Sequence, residues 1–252
     1  MGGLTVLKAL RNNMPKEDFI YLGDTARLPY GTKSESTINR YALQASRLLV
    51  EQDIKALVVA CNTASSFSLE ALVEAYFPLP VYGVIEPGAE AACAVADETG
   101  ILVLATESTV RAGAYQRLIL QKKTNIPVFA RACPLWVTLA EQGLTDRELT
   151  NHLIEYYLQG FSLHRPKTLL LGCTHFPLLL PALRQICGGE WAILDSAETT
   201  AVQVKRELKS RSLLKDQGGG VRYMATDGVE RFARIGRQFM GEDLHEVVRV
   251  DL

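Results

Sequence analysis

Two cysteines stand where a chain could do proton chemistry. In "KALVVACNTASSFSLEALVEAYF", residues 55–77, an apolar run stops at Cys61 and a helix-period segment starts almost at once. In "KTLLLGCTHFPLLLPALRQI", residues 167–186, the same order of events surrounds Cys173. Each thiol is expected at the carboxyl end of a strand and the amino end of a helix. A thiolate is a strong nucleophile and a usable base, and a helix amino terminus or a cation lowers its pKa from about 8.5. One such Cys suggests a nucleophile or a redox thiol. Two, at matching positions on opposite walls, suggest a two-base reaction. A thiolate takes a proton from one face of a carbon and a thiol returns one to the other face, which inverts a stereocentre. Two similar walls suit a substrate whose two forms are mirror images.

For either thiol alone, burial as a small apolar residue is the simpler reading. For the pair, the polar neighbours at both strand ends favour function. Cys93 lies in an Ala-rich helix and reads as packing. Cys133 ends a run but is followed by Pro134, so packing is favoured again, and Cys187 beside Gly188–Gly189 carries no signal. His175 is two residues from Cys173, too close for a papain-like relay. His152, His164 and His245 read as surface or loop residues. A redox protein, in which Cys61 and Cys173 pair reversibly, stays open as a weaker alternative.

The elements that must position the thiols follow from the pattern. Short apolar runs at 18–23, 56–61, 81–85, 100–106, 127–133, 168–173, 191–195 and 220–226 read as strands. Between them lie segments apolar at three- and four-residue spacing, which read as helices. Thr32 and Glu35 fit a capping box for the helix that follows. Strand–helix alternation predicts an α/β fold with parallel sheets covered by helices, and ligands in such sheets bind at the carboxyl ends of strands. The two thiol stretches resemble each other, which predicts two similar doubly wound parallel-sheet domains facing each other across a central cleft. The expected boundaries are residues 1–85 for the first domain, 86–196 for the second, and 197–252 for a helix-rich return to the first. The hand-overs fall near Ile85–Pro87 and at Ser196, and Gly218–Gly220 reads as a loop.

The 252 residues carry a formal net charge of -1 and scattered basic residues, so no nucleic-acid surface is expected. "VKRELKSRSLLK" at 204–215 is mixed in sign and reads as a solvated helix face. No apolar run reaches the length of a membrane span, and the start has no basic region before an apolar patch. Five widely spaced cysteines suit a reducing, cytoplasmic compartment. Without a CxxC, HExxH or His-rich tract, no metal site is expected.

At this point the chain resembles the glutamate racemases of the cofactor-independent amino-acid racemase superfamily. The resemblance rests on "YLGDTARLPYGTKS" (21–34), "VVACNTAS" (58–65), "YGVIEPG" (82–88), "VLATESTVRAGAY" (103–115), "ACPLWVTLAE" (132–141) and "LLGCTHFPLL" (170–179). The pair "CNTAS" and "GCTHFPLL" is the specific part. The resemblance implies interconversion of L- and D-glutamate with no cofactor, for peptidoglycan synthesis, cell-wall biogenesis and cell shape. It also implies a small-molecule substrate and, with no interface fixed by the residues, a homodimer. Cys61 and Cys173 match the catalytic thiols. Asn62 and Thr63 match groups that hold substrate beside the first thiol, and Thr174 and His175 do so beside the second. Tyr30 and Gly31 match a substrate-binding loop, Thr106 and Thr109 further contacts, and Glu141 an acid that assists His175 in some members. Physically, backbone N–H groups and hydroxyls suit the carboxylates of glutamate, and His175 could polarise a carboxylate or tune the thiol. On the residues alone, Asn62, Thr63, Thr106 and Thr109 could be helix caps, Tyr30–Gly31 a turn and Glu141 a surface acid.

The family pattern opens with a strand read as I-G-V-F-D-S-G-V-G-G, and Met1 stands where that pattern has its last Val. The expectation is an upstream start, with a GTG codon read as Met1. An aspartate or related racemase, and an amino-acid-binding protein without full catalysis, remain the alternatives.

Overall fold

The computed structural model describes residues 1–161 and 166–252, so His164 lies outside the described residues. In chain order the elements are α1 (Leu4–Asn13), β1 (Phe19–Gly23), α2 (Glu35–Val50), β2 (Leu57–Val59), α3 (Asn62–Tyr76), β3 (Val81–Gly83), α4 (Ile85–Val95), β4 (Ile101–Ala105), α5 (Glu107–Ala112) and α6 (Ala114–Lys122). They continue with β5 (Val128–Ala132), α7 (Pro134–Gln142), α8 (Glu148–Leu158), β6 (Thr168–Gly172), α9 (Leu180–Cys187), β7 (Ala192–Asp195), α10 (Ser196–Ser210), β8 (Val221–Ala225), α11 (Val229–Met240) and β9 (Val248–Arg249). Each of the eight apolar runs holds a strand, and every strand pair is parallel.

One sheet has the order β5-β4-β6-β7. Its central strands, β4 and β6, are buried along their whole length. Helices cover both faces, which is why these strands read as unbroken apolar runs rather than alternating ones. Leu102, Leu104, Leu169 and Leu171 face a core that holds Trp136, Phe176 and Leu183. Ile101, Val103 and Leu170 face the opposite core, with Tyr115 and Ile119. Each fully buried side chain of this size contributes roughly 1.5–3 kcal/mol.

The remaining strands form two ladders, β1-β8-β9 and β2-β3. Helix α1 packs on both α10 and α11. Its Leu4 and Leu7 join Phe232, Ile235 and Phe239, while Val6, Ala9 and Leu10 join Ala201, Val204 and Leu208. Helix α10 begins at Ser196, as expected, because the Asp195 carboxylate accepts the amides of Ala197 and Glu198, both at 2.9 Å. Among the described residues, β1 pairs on one side only, with β8, and β2 on one side only, with β3. Consecutive residues of both, Phe19–Gly23 and Leu57–Ala60, line one cavity of about 1290 Å³. Successive side chains of a strand point to opposite faces, so a cavity touched by every residue in turn lies along the free strand edges.

The expected capping box does not form. Helix α2 starts at Glu35, Thr32 belongs to a short 3-10 turn, and Ser34 takes the cap position. The Ser34 hydroxyl donates instead to Thr37 Oγ1 at 3.0 Å. The two thiol stretches also differ. Residue Cys61 is itself the cap of α3, whereas Cys173 is followed by a 3-10 turn, Phe176–Leu179, and α9 starts only at Leu180. Pro177 and Pro181, without amide hydrogens, interrupt an earlier α-helical start.

Candidate active site

Tyr30, Gly31, Cys61, Asn62, Thr63, Thr106, Glu141, Cys173, Thr174 and His175 all line this cavity. Cys61 stands past the end of β2, with extended backbone (φ -74°, ψ 122°) that turns the chain into α3. Its thiol keeps some access to the cleft, yet burial raises its pKa, while the amides of Ala64 and Thr63 and the Thr63 hydroxyl pull it down. Cys173 stands past the end of β6 and is 4% exposed. Burial pushes it up to about 12, against the amides of His175 and Phe176. Both thiols therefore rest protonated near neutral pH.

What differs between the walls is the histidine. The Nδ1 atom of His175 lies 3.8 Å from Cys173 Sγ, and its Nε2 meets Glu141 Oε1 at 3.2 Å. Burial lowers the His175 pKa, which favours the neutral ring. The hydrogen bond from His175 is the first cause holding Glu141 below the usual carboxylate range. The ring also packs edge-on against Phe239, with centroids 5.4 Å apart. Close approach is built in here. A side chain at Gly2 would sit 2.2 Å from Thr174 Oγ1 and 2.6 Å from His175 Nδ1, so only glycine fits.

Between the Cys61 and Cys173 stretches, three hydroxyls close a triangle, one from α3 and two from the start of α5. Thr63 and Thr106 are 3.0 Å apart, Thr63 and Thr109 3.1 Å, and Thr106 and Thr109 2.9 Å. Each hydroxyl has one hydrogen, so a closed ring uses all three and leaves lone pairs outward. Thr106 also caps α5, accepting from the Thr109 amide, so the cap reading and the wall position coexist. Thr109 is 1% exposed and stands behind its partners. Gly31 presses on this triangle: a Cβ there would lie 3.0 Å from Thr106 Cβ.

Asn62 is less available than its sequence position suggests. Its Oδ1 accepts from Tyr115 OH at 2.7 Å and its Nδ2 donates to Ser196 Oγ at 3.2 Å. Its side chain thus ties α3 to α6 and α10. Likewise the Tyr30 hydroxyl is engaged, donating to Asp24. Asp24 also accepts from Arg27 Nε at 2.7 Å and from Thr226 Oγ1 at 3.2 Å, which pins the Tyr30–Gly31 turn to the ends of β1 and β8. Asp24, Tyr115 and Ser196 were not among the expected site residues. Asp24, at the carboxyl end of β1, is the one that the strand-end rule could have found. Cys93 and Cys133 sit in cores, and His152 and His245 are exposed.

The high thiol pKa makes a stability prediction. A folded pKa above the unfolded one adds stability below the unfolded value, and that stability is lost as pH rises through the folded value. The unfolding midpoint should fall as pH goes from about 9 to about 12, and Cys173→Ser should fall less steeply. Identical slopes would show that the thiol is not held in this way. Among the described residues, no three His, Cys, Asp or Glu side chains are grouped to hold a metal ion, and no helix is long and apolar enough to cross a membrane.

The comparisons agree with this fold. The family model described as Asp/Glu/Hydantoin racemase matches residues 4–204. Glutamate racemase of Geobacter metallireducens is 46% identical over 254 residues, spanning 100% of this chain and 94% of that protein. The crystal structure of a glutamate racemase isoform from Bacillus anthracis has a TM-score of 0.94 at 35% identity, over 100% of this chain and 94% of that one. The glutamate racemase of Francisella tularensis, solved with D-glutamate, has a TM-score of 0.92 at 31% identity, over 99% of this chain and 94% of that one. Fold and relatives together make this chain an isomerase with parallel α/β sheets. More narrowly, it belongs to the Asp/Glu/Hydantoin racemase family.

Proposed function

We propose that the chain interconverts L- and D-glutamate by a two-thiol proton transfer. The observation that carries this reading is the placement of Cys61 and Cys173 past the ends of β2 and β6, on the wall of one cavity. One thiolate takes the α-hydrogen as a proton and becomes a thiol. The electron pair stays on the α-carbon, and the facing thiol gives its proton to the opposite side and becomes the thiolate. No electron is gained or lost, and the product leaves the protein in the mirrored protonation state. The α-carboxylate and ammonium are held by hydroxyls and amides of Thr63, Thr106, Thr174 and His175, with Asn62 and Thr109 bracing them. The Tyr30–Gly31 turn receives the second carboxylate. Residues 1–85 with 197–252 form one wall domain and 86–196 the other. The reaction needs no cofactor. It supplies D-glutamate for peptidoglycan in the cytoplasm, and the chain works as a homodimer.

The burial that keeps both thiols protonated near neutral pH favours a second reading, an amino-acid-binding protein with little turnover. One assay separates the two. Purified protein is given L-glutamate in deuterated water with no added cofactor, and optical rotation and α-deuterium are followed together. Rotation falling to zero with deuterium entering the α-position supports the racemase. Glutamate binding without exchange supports the second reading. Faster inversion of aspartate would move the substrate to the shorter diacid.

A further inference from the structure

Arg231 stands on α11, the far side of the cleft mouth from α7, and its guanidinium donates to Glu141 Oε2 at 3.2 Å. The other oxygen of Glu141 meets His175 Nε2 at 3.2 Å. A carboxylate can only accept, so the hydrogen between them belongs to Nε2. That tautomer leaves Nδ1 as the lone-pair nitrogen, and Nδ1 is the atom facing Cys173 Sγ at 3.8 Å. Around Cys61 stand the Thr63 hydroxyl and the amides of Thr63 and Ala64, none of which takes up a proton.

We propose that Arg231 is a positioning residue for the Cys173 half of the reaction, holding Glu141 so that His175 presents Nδ1 to the thiol. In this step the proton leaves Sγ for Nδ1, giving a thiolate and an imidazolium whose Nε2–H stays on the Glu141 carboxylate. The charged or titrating groups facing Glu141 are His175 from the β6 end, Arg231 from α11 and the amino group of Met1. Facing His175 are Glu141, the Met1 amino group and Cys173. Arg231 is therefore the side-chain cation that orients the relay, and it comes from the opposite wall. This inference rests on the two-thiol reading.

The test uses a property of mirror-image substrates. L- and D-glutamate are equal in free energy, so kcat/KM must be the same in both directions for any variant. A defect on one wall shows instead in the isotope effects. If the Cys173 step slows, α-deuterated substrate of the enantiomer that Cys173 deprotonates shows a larger isotope effect. The other enantiomer, deprotonated by Cys61, shows a smaller one. The Arg231 side chain is 51% exposed, so the loss in kcat/KM for Arg231→Ala should be about two- to fivefold, the scale of an exposed ion pair. Arg231→Lys should restore part of it, and the unfolding midpoint should stay near that of the parent. Isotope effects that move together, or stay unchanged for both enantiomers, would overturn the proposal. A parent protein that does not racemise glutamate would fail the reading beneath it before any variant is made.

Discussion

Cys61→Ser and Cys173→Ser should each slow racemisation by about 10³-fold, within the range a positioned acid or base contributes. A serine hydroxyl keeps the size and a hydrogen bond but gives up its proton far less readily than a thiol. The two variants should not be silent in the same way. With Cys61→Ser, Cys173 still faces one enantiomer and can remove and return its α-proton, aided by His175 at 3.8 Å. In deuterated water that enantiomer should gain deuterium without inverting, while the other exchanges slowly. With Cys173→Ser the preference should reverse. Nuclear magnetic resonance of the α-position, with each enantiomer supplied separately, reads this directly. Full turnover in either variant, or exchange of the same enantiomer in both, would end the two-thiol account.

Trp136→Ala should be the most damaging change to stability, by about 3–5 kcal/mol. The side chain is 0% exposed and lies at the centre of the core under β6. Its ring meets Phe176 edge-on at 5.0 Å and Tyr157 at 5.8 Å. Phe176 follows His175 directly, and Trp136 shares α7 with Glu141, so the residue supports both sides of the Glu141–His175 contact. Trp136→Phe should cost much less. The indole Nε1 is buried without a hydrogen-bond partner, and phenylalanine removes that donor while keeping most of the packed area. Urea unfolding of both variants checks this. A Phe variant as unstable as the Ala variant would show that shape, not buried area, governs the site.

Much of this was legible in the sequence because it is local. A buried parallel strand is an apolar run of about five residues, and each of the eight expected runs holds one. The thiols were legible because strand, Cys and polar residue are adjacent. Contacts between distant segments were not. Tyr115 and Ser196 meet Asn62 from two other helices, and Arg231 reaches Glu141 from α11. Nothing in the few residues around each of them announces its partner. The capping-box reading of Thr32 and Glu35 failed because Ser34 lies closer to the helix start. The likeness of the two thiol stretches failed at Pro177 and Pro181, where the missing amide hydrogens give a 3-10 turn instead of an α-helix.

The packing of α2 on α3 bears on how the proposed site would tell one ligand length from another. The Tyr30–Gly31 turn follows the ladder of β1 and Cys61 follows the ladder of β2, and among the described residues these are separate ladders. Ladder register comes in whole-residue steps, because a slip turns every side chain over. Here the span from turn to thiol is set instead by α2 and α3, which pack on each other and on the neighbouring strands and turn. Packed helices shear past one another by small shifts rather than by whole-residue steps. On the proposed function, a four-carbon and a five-carbon diacid would be told apart by a helix-packing distance rather than by a strand register.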